Sequence, residues 1–132
     1  MDRKRILIID DSPFMRTVIK DVLERAGYLI AGEASNGEEA ISMYVKVRPD
    51  MITLDLTMPI MTGVEALKAI KRIDSDVRCV VCTAMGQKKM LLEAIKEGAN
   101  DCVVKPLVPS ELLGAVRRCV GNNGIRYYSF IV

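Results

Sequence analysis

A short buried strand leading directly into a helix is predicted by the segment Ile6-Leu7-Ile8-Ile9-Asp10-Asp11-Ser12-Pro13. Its four apolar residues show no alternation with polar ones, a pattern typical of a parallel strand covered on both faces. Ser12 followed by Pro13 is typical of a helix N-cap and first helical residue. The segment therefore predicts a βα unit with two carboxylates, Asp10 and Asp11, at the carboxyl end of its strand.

The same arrangement, an apolar run followed by a polar residue, recurs three times further along the chain. Asp55, Thr83 and Lys105 are the polar residues that follow these runs. The runs themselves are Met51-Ile52-Thr53-Leu54, Cys79-Val80-Val81-Cys82 and Cys102-Val103-Val104. A weaker strand is predicted for residues 29–34. Because ligands of open α/β sheets bind beyond the carboxyl ends of the strands, we expect these polar side chains to share one edge of a sheet.

Helical patterns separate the strands. The first helix opens at Ser12 and closes at Gly27, and the second has Asn36 as its N-cap with Glu39 in a capping-box position. The remaining helices are expected to begin near residues 63, 87 and 109, the first of these with Ala66, Leu67, Ile70 and Ile73 on one face. Right-handed crossovers between five βα units require a parallel sheet with helices on both faces, so the sequence predicts a doubly wound α/β sandwich.

Composition narrows the class of protein. The 132 residues fit one domain with a substantial core, and no apolar stretch approaches the ~20 residues of a membrane span, so we expect a cytoplasmic protein without a membrane partner. The net charge of +2 comes from interspersed acids and bases, which gives little reason to expect direct nucleic-acid binding. Histidine is absent, which excludes histidine-dependent catalysis and histidine-ligated metals.

Two of the four cysteines have the spacing of a redox pair or a metal site. Cys79 and Cys82 form a C-x-x-C sequence. In a strand, however, residues three apart point to opposite faces and cannot close on one metal or on each other. We therefore expect all four cysteines to be reduced, small hydrophobic residues.

The end of the chain departs from the repeating pattern. Residues 1–120 contain all five βα units, whereas residues 121–132 form an extension whose role the sequence does not reveal. Its stretch Ile125-Arg126-Tyr127-Tyr128-Ser129-Phe130-Ile131-Val132 is apolar and aromatic. Because an exposed run of this kind favours aggregation, we expect it to pack on a sheet edge, a helix or a second molecule.

The acidic residues define a candidate metal and phosphoryl site. Asp10 and Asp11 alone are weak evidence, since acids are common where a strand turns into a helix. If the first and third strands are neighbours, Asp55 joins them, and three mutually repelling carboxylates favour a divalent cation such as Mg²⁺. Lys105 and Thr83 at the same edge would neutralise and hydrogen-bond a phosphoryl group transferred to a carboxylate.

Residues 5 to about 120 resemble the receiver domain of the two-component response-regulator family, on motifs that match throughout. These are Ile8-Ile9-Asp10-Asp11-Ser12, Asp55-Leu56-Thr57-Met58-Pro59 with Gly63, Thr83-Ala84 and Lys105-Pro106. Phe14-Met15-Arg16 and Thr83-Ala84-Met85-Gly86-Gln87 are similar to the single-domain chemotaxis branch in particular. The resemblance implies a flavodoxin-like (βα)5 fold with strand order 2-1-3-4-5, and a receiver domain over residues 1–120.

The resemblance also implies roles for the acidic residues. Asp55 would be the phosphoacceptor, taking its phosphoryl group from a CheA-like histidine kinase. Asp10, Asp11, Asp55 and the main-chain carbonyl of Thr57 would hold Mg²⁺.

Further roles follow from the resemblance for residues around the phosphoryl group. Lys105 would contact that group, and Thr83 would move toward it on its arrival. Thr57 and Met85 would flank the attacking water and tune hydrolysis.

The implied function is a phosphorylation-activated signalling switch with no enzymatic activity beyond self-phosphorylation from small donors and autodephosphorylation. Its output partner would be a flagellar motor switch component or an adaptor, with a phosphatase as a further partner. A phosphorelay intermediate and a stand-alone receiver outside chemotaxis are alternatives. An Asp-nucleophile phosphatase is disfavoured because Thr57 stands where such enzymes carry a second acid. A nucleotide-binding domain is disfavoured because the turn 10–13 has no glycine.

One position departs from the family pattern. An aromatic residue usually stands three positions before the lysine, and its rotamer reports the movement of the threonine to the surface formed by helix 4, strand 5 and helix 5. This chain has Cys102 there. Since a thiol cannot fill an aromatic pocket, we expect signalling to run through backbone shifts of residues 84–89 or to be weaker.

Overall fold

The computed structural model describes residues 3–121, so the predicted packing of the extension lies outside the described residues. Five strands and five helices alternate along this part of the chain, as predicted. They are β1 Arg5–Ile9, α1 Pro13–Arg25, β2 Leu29–Ala34, α2 Gly37–Val47, β3 Met51–Asp55, α3 Gly63–Ile73, β4 Cys79–Thr83, α4 Lys88–Lys96, β5 Asp101–Val104 and α5 Pro109–Gly121. No helix within residues 3–121 is long and apolar enough to cross a membrane.

The strands form one parallel sheet of order β2-β1-β3-β4-β5, which confirms the flavodoxin-like fold. β1 lies between β2 and β3, so the chain leaves β1 in one direction and later returns to its other side. This makes the β1/β3 boundary the topological switch point, where the carboxyl ends of strands leave a crevice. In the register, Ile9 pairs with Leu54, and Asp55 pairs with Cys82 on β4. The residues that follow β1, β3 and β4 therefore emerge at one edge.

Each face of the sheet is covered by its own apolar core. Leu7 and Ile9 pack on the face covered by α2, α3 and α4, whereas Ile6 and Ile8 pack on the face covered by α1 and α5. This two-sided burial explains why the first strand shows no polar alternation.

The C-x-x-C pair is split between these two cores. Cys79 packs with the helices α2 to α4, and Cys82 packs on the opposite face. All four cysteines, which lie within the described residues, are buried and unpaired. The prediction that they pack as small hydrophobic residues, with the C-x-x-C pair on opposite faces of the sheet, is confirmed.

Helix starts follow the sequence signals with one exception. The Ser12 side chain accepts the Met15 N–H, and the Asn36 side chain accepts the Glu39 N–H, as expected for N-caps. The reciprocal capping-box bond predicted for Glu39 was wrong. Its carboxylate accepts from both the N–H and the hydroxyl of Ser35, each at 2.8 Å, because that residue offers two donors to one oxygen.

The apolar face of α3 is buried along most of its length. Ala66, Leu67 and Ile70 are fully buried, whereas Ile73, predicted on the same face, is 41% exposed. Ile73 is the last residue of the helix. A complete capping box, formed by Thr62 and Glu65, fixes the other end of this helix.

Candidate functional site

Three carboxylates converge at the carboxyl edge of the sheet, beside the β1/β3 boundary. Asp10 and Asp11 follow β1, and Asp55 is the last residue of β3. One oxygen from each side chain lies within 4.8 Å of the others. Asp10 and Asp55 are 1% and 5% exposed, whereas Asp11 is exposed to solvent. The cluster is therefore anchored in the protein and open on one side.

The Asp10 carboxylate is held by a donor at each oxygen. Its Oδ1 accepts the N–H of Ser12 at 2.9 Å, and its Oδ2 accepts from the Lys105 ammonium at 3.1 Å. The main-chain carbonyl of Asp10 also accepts from the Arg16 guanidinium at 2.6 Å. These bonds leave the side chain little freedom to rotate, so the carboxylate keeps a fixed position in the site.

Lys105 places a positive charge between the two buried acids. Its Nζ lies 3.1 Å from Oδ2 of Asp10 and 3.7 Å from Oδ1 of Asp55. Burial acts to lower the lysine pKa, but the charges of Asp10 and Asp55 outweigh it and raise the pKa. Lys105 is therefore a permanent cation at neutral pH. It follows β5, its N–H donates to the carbonyl of Thr83 at 2.7 Å, and its peptide bond to Pro106 is cis.

The environment of Asp55 disfavours its charged form. Burial raises the pKa, the N–H of Thr57 opposes this by donating to Oδ1 at 3.1 Å, and the charge of Asp10 adds to the increase. The balance raises the pKa of Asp55 to about 6. At pH 7 the group is mostly an ionised carboxylate, and the protein alone compensates its negative charge poorly.

The donor set fits a hard divalent cation. Carboxylate oxygens from Asp10, Asp11 and Asp55 are the ligands that Mg²⁺ prefers, and a site open on one side leaves positions for water and phosphate oxygens. Thr57, whose main-chain carbonyl is the fourth predicted ligand, lies on the loop directly after Asp55. Its role as a ligand stays a prediction.

Thr83 reaches the same edge, but its hydroxyl bonds to the following loop. The residue ends β4 and is buried. Its Oγ1 lies 2.9 Å from Oε1 of Gln87 and 3.4 Å from the carbonyl oxygen of Ala84. The predicted contact of Thr83 with a phosphoryl group would require this hydroxyl to change partner.

Gln87, quoted above only as the end of a motif, is a residue of the site for which sequence reasoning predicted no role. Besides Thr83, its side chain contacts the N–H of Ala84 and the hydroxyl of Thr57. The available signal was an amide side chain at the start of a predicted helix and four residues after the threonine. An amide carries both donors and acceptors, so it can link two loops.

Met85, Thr57 and Cys102 are the remaining residues singled out from the sequence. Met85 is 84% exposed and Thr57 is exposed, each two residues beyond a strand end, so their effect on hydrolysis stays a prediction. Cys102 is buried in the core on the α2, α3 and α4 face. Burial raises the pKa of its thiol to about 12. A small buried thiol offers no side chain that could swing between pocket and surface.

Fold and site together define a receiver module, in which a carboxylate at the end of the third strand is flanked by two further acids and a lysine. The response regulator receiver domain family matches residues 6–117, and the chain belongs to this family. Members of the family are signalling proteins rather than classical enzymes, which weighs against the phosphatase alternative.

Chemotaxis proteins are among the close relatives. The chain is 50% identical over 115 residues to the chemotaxis protein CheY of Thermotoga maritima, covering 87% of this chain and 96% of that one. Identity to CheY of Bacillus subtilis is 46% over 114 residues, covering 86% and 95%. A solved complex of CheX with CheY, BeF3 and Mg²⁺ from Borrelia burgdorferi matches with a TM-score of 0.82 and 32% identity, covering 86% of this chain and 87% of that one.

Proposed function

We propose that this protein is a phosphorylation-activated switch of a two-component system that acts in chemotaxis. In this account a histidine kinase phosphorylates Asp55, and the phosphorylated form binds a downstream protein. The observation that carries the proposal is the cluster of Asp10, Asp11 and Asp55 with the Lys105 ammonium 3.7 Å from the acceptor carboxylate. Three acids and one lysine at this edge suit phosphoryl transfer better than any chemistry that needs a general base.

The transfer step uses the acceptor as it stands at neutral pH. A carboxylate oxygen of Asp55 attacks the phosphorus of a phosphohistidine, and the O–P bond forms as the N–P bond breaks. The electron pair of the broken bond stays on the imidazole nitrogen of the donor. With a pKa of about 6, Asp55 is already ionised and needs no residue to remove a proton. Hydrolysis reverses the modification when water attacks phosphorus and the acyl O–P bond breaks.

The surrounding residues orient the acceptor and balance charge. Lys105 neutralises part of the phosphoryl charge, and the N–H of Thr57 holds one oxygen of Asp55, which leaves the other oxygen to react. Mg²⁺, held by Asp10, Asp11, Asp55 and the main-chain carbonyl of Thr57, would supply further charge neutralisation at the phosphoryl oxygens.

Partners follow from the relatives and from the site. The similarity to CheY proteins supports a CheA-like kinase as donor and a flagellar motor switch component or adaptor as target. In the B. burgdorferi structure CheY is bound to CheX, so a dedicated protein that recognises the receiver is a candidate partner. A phosphatase stays a predicted partner. Residues 1–120 serve as the receiver domain in this account. The cytoplasmic location stays a prediction, and no role is proposed for residues 121–132.

Labelling by a small phosphodonor tests the proposal. The protein is incubated with acetyl phosphate and Mg²⁺, and the phosphoryl adduct is measured for the unaltered chain and for Asp55→Asn. Asp76→Asn is the matched control, because Asp76 is exposed on the loop between α3 and β4. We expect labelling of the unaltered chain and the control only, and retained labelling of Asp55→Asn would refute the assignment. Transfer from the labelled protein to a second histidine domain would instead favour the phosphorelay alternative.

A further inference from the structure

The side-chain amide of Gln87 joins two loops that meet at the candidate site. Its Oε1 accepts from the Thr83 hydroxyl at 2.9 Å and from the Ala84 N–H at 2.8 Å. Its Nε2 donates to the hydroxyl of Thr57, on the loop after the acceptor strand. One partly buried side chain thus contacts the residue two positions past Asp55 and the residue that ends β4.

The orientation of this amide follows from its partners. A backbone N–H can only donate, so the Gln87 atom that faces Ala84 must be the oxygen, and the nitrogen must face Thr57. The amide oxygen carries no hydrogen, so Thr83 must be the donor in the bond between them. The single hydroxyl proton of Thr83 is therefore committed to Gln87 at 2.9 Å, the shorter of its two acceptor contacts, the other being the Ala84 carbonyl at 3.4 Å.

This commitment conflicts with a phosphoryl group on Asp55. Phosphoryl oxygens need donors, and Thr83 can donate its proton to only one acceptor at a time. If Thr83 bonds to the phosphoryl group, Gln87 must lose that partner.

Gln87 also stands at the start of α4. It is the N-cap residue of that helix, and its carbonyl accepts the N–H of Leu91 at 3.0 Å. Its side chain makes no cap hydrogen bond to the helix and turns back to the loop instead. A change in the partners of the side chain therefore acts directly on the residue that begins α4.

We propose that Gln87 is a positioning residue that holds the Thr83 hydroxyl away from Asp55 and links phosphoryl occupancy to the start of α4. The inference rests on the proposed function, since it requires a phosphoryl group at Asp55. It assigns a contact to the backbone route through residues 84–89, one of the two alternatives that we expect for a chain with Cys102 in place of the aromatic residue.

The test measures the affinity of the Mg²⁺-loaded protein for beryllofluoride, an analogue of the phosphoryl group. Gln87→Met keeps the length of the side chain and removes its hydrogen bonds. Loss of a bond that competes with the bound state should tighten beryllofluoride binding by about 3- to 10-fold. Lys89→Met is the control. Lys89 is exposed in the same turn, and loss of its positive charge should leave the affinity unchanged or weaken it.

A double-mutant cycle separates positioning from a general structural effect. In a Thr83→Val background there is no hydroxyl to release, so Gln87→Met should change the affinity by less than about 2-fold. Amide resonances of Ala84 and Lys88 should also move toward their beryllofluoride-bound positions in Gln87→Met before ligand is added. Equal effects in both backgrounds, an unchanged affinity or weaker binding would overturn the inference.

Failure of the inference can be told from failure of the proposed function. If the unaltered protein is labelled at Asp55 and binds beryllofluoride but shows no coupling between Gln87 and Thr83, only the role of Gln87 is rejected. If the unaltered protein is neither labelled nor binds beryllofluoride, both are rejected.

Discussion

Lys105 donates a hydrogen bond to Oδ2 of Asp10 at 3.1 Å, although the two residues are 95 positions apart in the chain. Two strands, β3 and β4, lie between the strands that carry them. The lysine stem must therefore reach across the carboxyl edge of the sheet to make this bond. The same ammonium lies near Asp55, so one cation stabilises both buried acids of the candidate site.

Removal of this cation should affect metal binding and phosphoryl transfer in opposite directions. In Lys105→Met, Oδ2 of Asp10 loses its partner and a repelling charge disappears, so Mg²⁺ should bind several-fold more tightly. Labelling by acetyl phosphate should fall by roughly 10- to 100-fold, because a charge that stabilises the transferring group is missing. Calorimetric titration with Mg²⁺ and the labelling rate are the measurements, and a parallel loss of both would contradict this role.

The raised pKa of Asp55 predicts a pH-dependent stability of the metal-free protein. The folded state takes up a proton near pH 6 and the unfolded state near the ordinary value of 3.8, so the stability falls as pH rises through this window. Asp55→Asn removes that cost and should raise the melting temperature at pH 7.5 by about 5 °C. The difference should shrink as pH falls toward 4.

Two comparisons make the Asp55 prediction specific. Mg²⁺ should raise the melting temperature of the unaltered protein more than that of Asp55→Asn, because binding to the folded state adds stability. Asp76→Asn should show neither effect. If the metal-free Asp55→Asn protein melts at a lower temperature than the unaltered protein at pH 7.5, the result would argue against a raised pKa for Asp55.

A buried hydroxyl on β3 predicts a stabilising substitution. Thr53 is 1% exposed, and its Oγ1 has no hydrogen-bond partner within residues 3–121. Thr53→Val keeps the shape and removes the unpaired group, which should raise the free energy of unfolding by about 1 kcal/mol. Thr17→Val is the control, since the Thr17 hydroxyl is exposed and bonds to the Pro13 carbonyl. Denaturant titrations check this, and equal effects of both changes would count against it.

The buried cysteines should be inert in the folded protein. Burial raises the pKa of Cys82 and Cys119 to about 12, so both remain protonated thiols at pH 8. Modification by a disulfide reagent should be slow until denaturant is added, and fast reaction of the native protein would contradict the burial. The unfolded thiols ionise near pH 9, so these groups lower the stability progressively as pH rises from 9 toward 12.

Much of the fold was predictable because the order of apolar and polar residues along the chain indicates which segments are buried. Non-alternating runs such as 6–9 require cover on both faces, and parallel strands bring Asp10 and Asp55 to one edge. The neighbouring positions of β1 and β3 came from resemblance to a family, since periodicity does not specify strand order.

Details of the loops were not predictable in the same way. The Glu39 carboxylate accepts from Ser35 and not from Asn36, and the Gln87 side chain donates to Thr57 and does not cap its own helix. Such side-chain hydrogen bonds depend on loop geometry, which hydrophobic periodicity does not encode. Ile60 adopts a left-handed φ of 72°, and nothing in a β-branched residue signals that conformation.

The central claim is that Asp55 accepts a phosphoryl group at a site assembled by Asp10, Asp11 and Lys105. It is tested most directly by locating the adduct after incubation of the unaltered protein with acetyl phosphate, with and without Mg²⁺, using borohydride reduction and peptide mapping. We expect the reduced residue only at position 55 and only when Mg²⁺ is present. An adduct on another residue, or equal modification without the metal, would contradict the account.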